Sequence, residues 1–167
     1  MLVVLRLFWD ICLLHRPPQD IPYSQSLLNV LLLMYAMVAF LALSPSDNAV
    51  KTMLEVTVEM SLIVIFVWGI LAITRHLPRF KQTLCAFLGT DALISVLALP
   101  ALAIGSEQAG EGAMIAMLVL MLWHWVVVGH IVHHALSQSL WVGLSVAFLY
   151  CLGFFQLMNW LFPMASA

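Results

Sequence analysis

MSLIVIFVWGILAIT, residues 60–74, runs fifteen residues without a charge. With the ten residues before it the segment reaches the roughly 20 residues that an α-helix needs to cross ~30 Å of hydrocarbon. A soluble fold has no use for such a stretch, and the rest of the chain repeats the pattern. Of 167 residues, 64% are hydrophobic and 8% charged, with a mean hydropathy of +1.08. Six basic and eight acidic side chains cannot cover a water-exposed surface, and most fall between apolar runs. The composition predicts an all-α, polytopic transmembrane bundle.

Working outward, turn-forming stretches divide the chain. RPPQDIPYSQS (16–26), SPSDN (44–48), RHLPRFK (75–81) and GSEQAGEG (105–112) separate apolar runs expected to span at about 26–43, 50–74, 82–104, 113–136 and 139–162. Ser24 or Ser26 is placed to cap the first span, and Pro100 to mark the end of the third. Residues 1–23 stand apart from the membrane domain at 24–167. Arg6 and Asp10 interrupt an apolar N-terminus, which predicts an amphipathic helix lying in the membrane interface, ended near His15 by the prolines and anchored by Trp9 and Arg6. It carries no cleavage pattern and is expected to be retained.

Arg6, Arg16, Arg75, Arg79 and Lys81 fall on one side of this layout, and Lys51 alone on the other. That asymmetry predicts a cytoplasmic N-terminus and an external C-terminus, with Asp47, Glu107 and Glu111 outside. The expected location is the bacterial cytoplasmic (inner) membrane. A net charge of −2 with no basic patch excludes nucleic acid as a partner. Cys12, Cys85 and Cys151 lack disulfide or zinc spacing and read as packing groups. Ser139, Gly143 and Ala147, four residues apart, form a small-residue face for helix packing within the chain or against a partner.

The informative residues are the polar ones inside the spans. Asp91 lies ten residues from Lys81, and His124 eleven from Ala135, which puts the two at matching depth near mid-bilayer. An unpaired carboxylate there costs about 2.5–3.5 kcal/mol, so either protonation of the carboxyl or a hydrogen bond from His124 or His130 is expected to compensate. His130 is about 240° around the helix from His124, so one metal cannot take both. His133 and His134 fall in the last turn and read as interfacial, while HxxxH at 130 and 134 offers two ligands where a zinc site needs three or four. No metal is expected. Glu55 and Glu59 share a face of the second span, with Lys51 one turn before Glu55. Asn29, Gln156 and Asn159 sit near span ends. Trp123 and Trp125 flank His124, as packing groups or cofactor contacts.

FWDICLLHRPPQDIPYS (8–24) and WHWVVVGHIVHHAL (123–136) are similar to segments of small bacterial inner-membrane proteins. The layout over nearly the whole chain resembles the Yip-domain family, whose eukaryotic members interact with Rab GTPases. The resemblance implies five spans with a cytoplasmic N-terminal segment and carries over no site residue.

With no nucleophile elbow, Walker loop or dinucleotide motif, the chain is not expected to be an enzyme. Small loops and few intramembrane polar groups favour an accessory or assembly subunit of a larger membrane complex, with other membrane subunits or a second copy as partners in the lipid bilayer. The alternative is a small transporter or proton-coupled conduit using Asp91 and His124, with His130 as relay and Glu59 receiving ions. A further alternative, a haem-binding electron-transfer subunit, needs a second chain to supply an axial ligand, and no cofactor is the expectation.

Overall fold

A computed structural model describes residues 2–43, 48–103 and 111–163, which are helical and contain no strand. An N-terminal helix α1 (Leu2–Cys12) is followed by a 3-10 turn (Pro18–Asp20), α2 (Gln25–Leu43), α3 (Ala49–Ile73), a second 3-10 turn (Leu77–Arg79), α4 (Phe80–Ala103), α5 (Glu111–Leu136) and α6 (Leu140–Leu161). Helices α2 to α6 are each long and apolar enough to cross a membrane. The protein is an all-α, multi-pass membrane bundle. Asp47 and Glu107 lie outside the described residues.

The helix ends follow from local chemistry. Ser24 Oγ accepts from Leu27 N at 3.3 Å, so Ser24 rather than Ser26 caps α2. Asn48 caps α3 by accepting from the amides of Val50 and Lys51, and Ser139 caps α6 by accepting from Val142 N. At the opposite ends of α1, α3 and α5 the chain turns through left-handed residues, Leu14 (φ 64°), Arg75 (φ 60°) and Ser137 (φ 53°). In each case the next amide reaches back five residues, from His15 to Asp10 O, His76 to Leu71 O and Gln138 to His133 O. These are Schellman closures made without glycine. The first of them ends α1 at Cys12, three residues earlier than the proline positions suggest. Helix α4 begins at Phe80 and continues through Pro100 to Ala103.

Arg79, the last residue of the 3-10 turn before α4, ties the start of that helix to the end of α5. Its guanidinium donates to the carbonyls of His134 and Ala135 at 3.2 and 3.1 Å and to Ser137 Oγ at 2.7 Å. The last carbonyls of a helix have no intrahelical partner, and here one planar cation satisfies two of them.

Helix α4 is the centre of the bundle. Within its span 56% of residues are enclosed by protein, against 33% or less in every other span, and Thr83 to Thr90 are buried without interruption. Enclosure on every side demands small side chains and internally satisfied hydroxyls. Gly89 leaves room for the Phe8 ring, which a Cβ there would strike. Thr90 Oγ1 donates to Ala86 O at 2.8 Å and Thr83 Oγ1 to Arg79 O at 3.0 Å. Thr57, Ser61, Thr74 and Ser145 also return their hydroxyls to carbonyls four residues back. In lipid this removes the cost of an unpaired donor.

The small face of α6 is consumed by α5. Gly143 lies against the Gly129 carbonyl and His133, Gly129 lies under Leu144, and Ala135 and Ala147 are fully buried. Ser139 is exposed and serves as the cap. Trp125 adds an indole N–H to Leu144 O at 3.0 Å across the same contact.

Gly143→Leu should therefore force α5 and α6 apart and cost about 1–3 kcal/mol. Gly153→Leu, where an added Cβ meets nothing within 4 Å, should leave stability unchanged. Denaturant titration of both variants in detergent checks the pair, and equal stabilities would mean that the helices do not pack as described.

Candidate functional site

Five of the polar side chains inside the spans, one from each spanning helix, stand at a similar depth. Depth can be counted from the end where α2, α4 and α6 begin and α3 and α5 finish. At ~1.5 Å per residue, Tyr35 (α2), Glu59 (α3), Asp91 (α4), His124 (α5) and Tyr150 (α6) stand roughly 15, 21, 16, 18 and 15 Å deep. That is about the middle of a ~30 Å hydrocarbon layer. Each spanning helix contributes one member.

Asp91 is the hub. His124 Nε2 lies 3.3 Å from Asp91 Oδ1, with side-chain exposures of 30% and 22%, so the pair is substantially withdrawn from the surroundings. The buried Tyr35 hydroxyl faces both Asp91 and Glu59. The Asp91 carboxylate is close enough for its charge to act on Cys12, Tyr35, Glu59, Tyr150 and Cys151. Glu59 in turn feels Glu55. Aromatic packing fixes the Tyr150 ring: Phe66 of α3 stacks on it at 4.1 Å and Phe87 of α4 meets it edge-on at 6.1 Å.

Chemically, the cluster holds two carboxyls, one imidazole and two phenols. Two carboxylates in a low-dielectric interior repel when both are charged, and a neighbouring imidazolium relieves one of them. One proton shared among Asp91, Glu59 and His124 therefore changes which pair repels and which attracts while their total charge stays the same, and the Tyr35 hydroxyl can both donate and accept between the carboxyls. Among the described residues no three His, Cys, Asp or Glu side chains are grouped to hold a metal ion.

The remaining candidates have other neighbours. Glu55 is buried and paired to Lys51 Nζ at 3.6 Å, one turn nearer the opposite end. His130 is turned away from Asp91; its Nε2 lies 3.0 Å from the Arg16 carbonyl, to which it donates. Its ring meets His134 at 4.5 Å, and His134 meets His133 at the same distance. His133 Nδ1 donates to the Gln138 carbonyl. Arg6 is exposed, and Trp9 packs edge-on against Trp123, 6.1 Å between ring centroids. Trp123 stands roughly 20 Å from the end of α5. Helix α1 is thus seated deep against α4 and α5 on its Phe8, Ile11 and Cys12 face, because Gly89 vacates the volume that Phe8 fills.

Tyr35 and Tyr150 were not singled out by the sequence reading, which counted depth only for charged residues. Applied to phenols, the same count places both level with Asp91. Gln82 is a second omission. Its amide donates to the carbonyls of Gln19 and Ile21, each at 2.9 Å, and so fixes the N-terminal segment to α4.

If Asp91 and His124 stabilise one another, their replacements must be non-additive. His124→Leu leaves a carboxylate without its partner and should cost about 1–3 kcal/mol. Adding Asp91→Asn should recover part of that loss, with a coupling of at least about 1 kcal/mol in a double-mutant cycle. Additive losses would mean that the two groups do not interact. No protein-family model matches this chain, and comparison with curated proteins and with solved structures finds no match either.

Proposed function

We propose that the protein is a small membrane-embedded proton-handling device, a conduit or proton-coupled transporter, in which Asp91 and His124 form the exchanging pair. The observation that carries this reading is that one polar group from each of the four other spanning helices stands around Asp91. A structural clasp between two helices needs one pair. Here Tyr35, Glu59 and Tyr150 add groups whose burial costs stability and whose common property is an exchangeable proton. Glu59, the member farthest from the basic end of the bundle, is the natural port to the opposite side, with Glu55 beyond it. His130 takes no part as a relay in this scheme, since it is committed to the Arg16 carbonyl. The basic end, with Arg75, Arg79 and Lys81, is assigned to the cytoplasm, in a bacterial inner membrane.

A second reading, an accessory or assembly subunit, draws on α6. Only 11% of its span is enclosed, and its outer face presents Trp141, Leu149, Phe155 and Trp160 together with the exposed amides of Gln156 and Asn159. Amides on a lipid-exposed helix are suited to hydrogen bonding across to a neighbouring helix. A partner subunit or a second copy would meet this face, because the Gly143–Ala147 face is already filled by α5. The Yip-like layout is compatible with either reading. A haem held through Nε2 of His124 or His130 would have to displace Asp91 or the Arg16 carbonyl from that nitrogen.

Reconstitution into liposomes with an entrapped pH-sensitive dye separates the two readings. The proton-handling reading expects dissipation of an imposed pH gradient, falling to the level of protein-free liposomes in Asp91→Asn while the variant keeps its helical content. Intact protein with no flux above protein-free liposomes, recovered from its native membrane in fixed stoichiometry with other subunits, decides for the accessory reading.

A further inference from the structure

The N-terminal segment occupies a groove that its own removal would make polar. From Phe8 to Ile21 the chain follows α4 and α5 from the level of the Asp91 pair to the basic end of the bundle. Phe8 fills the space over Gly89, and Trp123 Nε1 donates to Cys12 O at 2.9 Å. Next, His130 donates to Arg16 O at 3.0 Å, Gln82 to Gln19 O and Ile21 O, and Gln19 Nε2 to His134 O at 2.7 Å. Set among the apolar side chains that hold this segment, the bundle thus offers it an indole N–H, an imidazole and a carboxamide. They are spaced along a line that ends beside Asp91, and all of them are satisfied by the segment's main chain. Without the segment these donors would be unpaired, which is costly against lipid and relieved by water.

The hold on this segment is divisible. Arg16 pairs internally with Asp10 at 3.5 Å and Asp20 at 3.7 Å, so these charges stay matched within the segment whether or not it is docked. Gln19 Oε1 is buried with no partner among the described residues, which subtracts from the docked state. What seats the segment is apolar: Phe8, Ile11, Cys12, Pro18 and Ile21 are buried.

We infer that residues Phe8–Ile21 are a removable strap that closes a polar groove leading from the basic end of the bundle to the Asp91–His124 pair. Docked, the strap bars water from that end; lifted, it exposes Trp123, His130 and Gln82 as a wetted path. The inference rests on the proton-handling reading only for what the groove carries, since access to Asp91 can be measured without flux.

Cys12 reports the strap's position. It is fully enclosed, and burial, with the Asp91 charge adding to it, pushes its thiol up to about 12. Below that pH the thiol stays protonated, so the docked strap should resist alkylation throughout the physiological range. Cys85, buried in α4, serves as the control for an intact bundle.

The test treats the full-length protein and its Phe8→Ala, Phe8→Asp and Ile11→Asp variants, in detergent, with a maleimide and separately with a water-soluble carbodiimide plus an amine, and reads each site by mass spectrometry. Cys85 must stay unmodified. The strap account expects Asp91 coupling to rise at least about tenfold in the variants whose Cys12 becomes alkylated, in step with it, and to stay low where Cys12 is protected. Cys12 alkylated with Asp91 still unmodified overturns the account. So does Cys12 protected in all three variants, because the segment is then part of the fixed core. If Asp91 follows Cys12 but no variant carries proton flux, the strap stands and the conduit reading fails.

Discussion

A carboxylate in the middle of a bilayer is the constraint around which this protein is arranged. At about 2.5–3.5 kcal/mol for an unmatched charge, Asp91 could not stay at the centre of a marginally stable bundle without neighbours that answer it. His124 answers directly at 3.3 Å. The tyrosines of α2 and α6 and the second carboxyl on α3 complete a shell around the middle of α4, the helix that α1, α2, α3 and α5 pack against. The position of the polar group and the enclosure of its helix are one fact. A helix exposed to lipid could not carry Asp91, and an enclosed helix has the partners to keep it.

Enclosure also explains the sequence of α4. It is the least hydrophobic of the five spans, with Thr83, Thr90 and Gly89 where its neighbours carry Leu, Ile or Val. Inside a bundle in lipid there is no hydrophobic gain from meeting another helix, so close approach and internally bonded hydroxyls decide which helix goes to the centre. The tight α5–α6 hairpin follows the same rule through Gly129 and Gly143. At the basic end the logic changes to capping. Arg79, Gln82 and Gln19 are spent on carbonyls that helix ends and the irregular N-terminal chain leave open.

The spans were legible because apolar runs of about 20 residues and turn-rich breaks are local properties. The matched depth of Asp91 and His124 was also legible, since helical rise converts residue number into height. Azimuth was not. Whether His124 or His130 faces Asp91 depends on how α4 and α5 are rotated, which their nearly uniform apolar surfaces do not encode. The seat of α1 was hidden for a related reason. Its Arg6 and Asp10 mark a polar side, but only the hollow at Gly89, 81 residues away from Phe8 in sequence, shows how deeply the other side docks. The tyrosines were missed because a phenol is neutral, and depth becomes conspicuous only for charges.

The contact between Asp91 and His124 is the centre of this arrangement, and solid-state NMR of the protein in bilayers tests it without any substitution. With carboxyl carbons of aspartate and ring nitrogens of histidine isotopically labelled, the account predicts a direct dipolar correlation between Asp91 Cγ and His124 Nε2, and none from Asp91 to His130. A correlation to His130 instead, or an Asp91 carboxyl with no histidine nitrogen beside it, would contradict the arrangement on which the proton-handling reading stands.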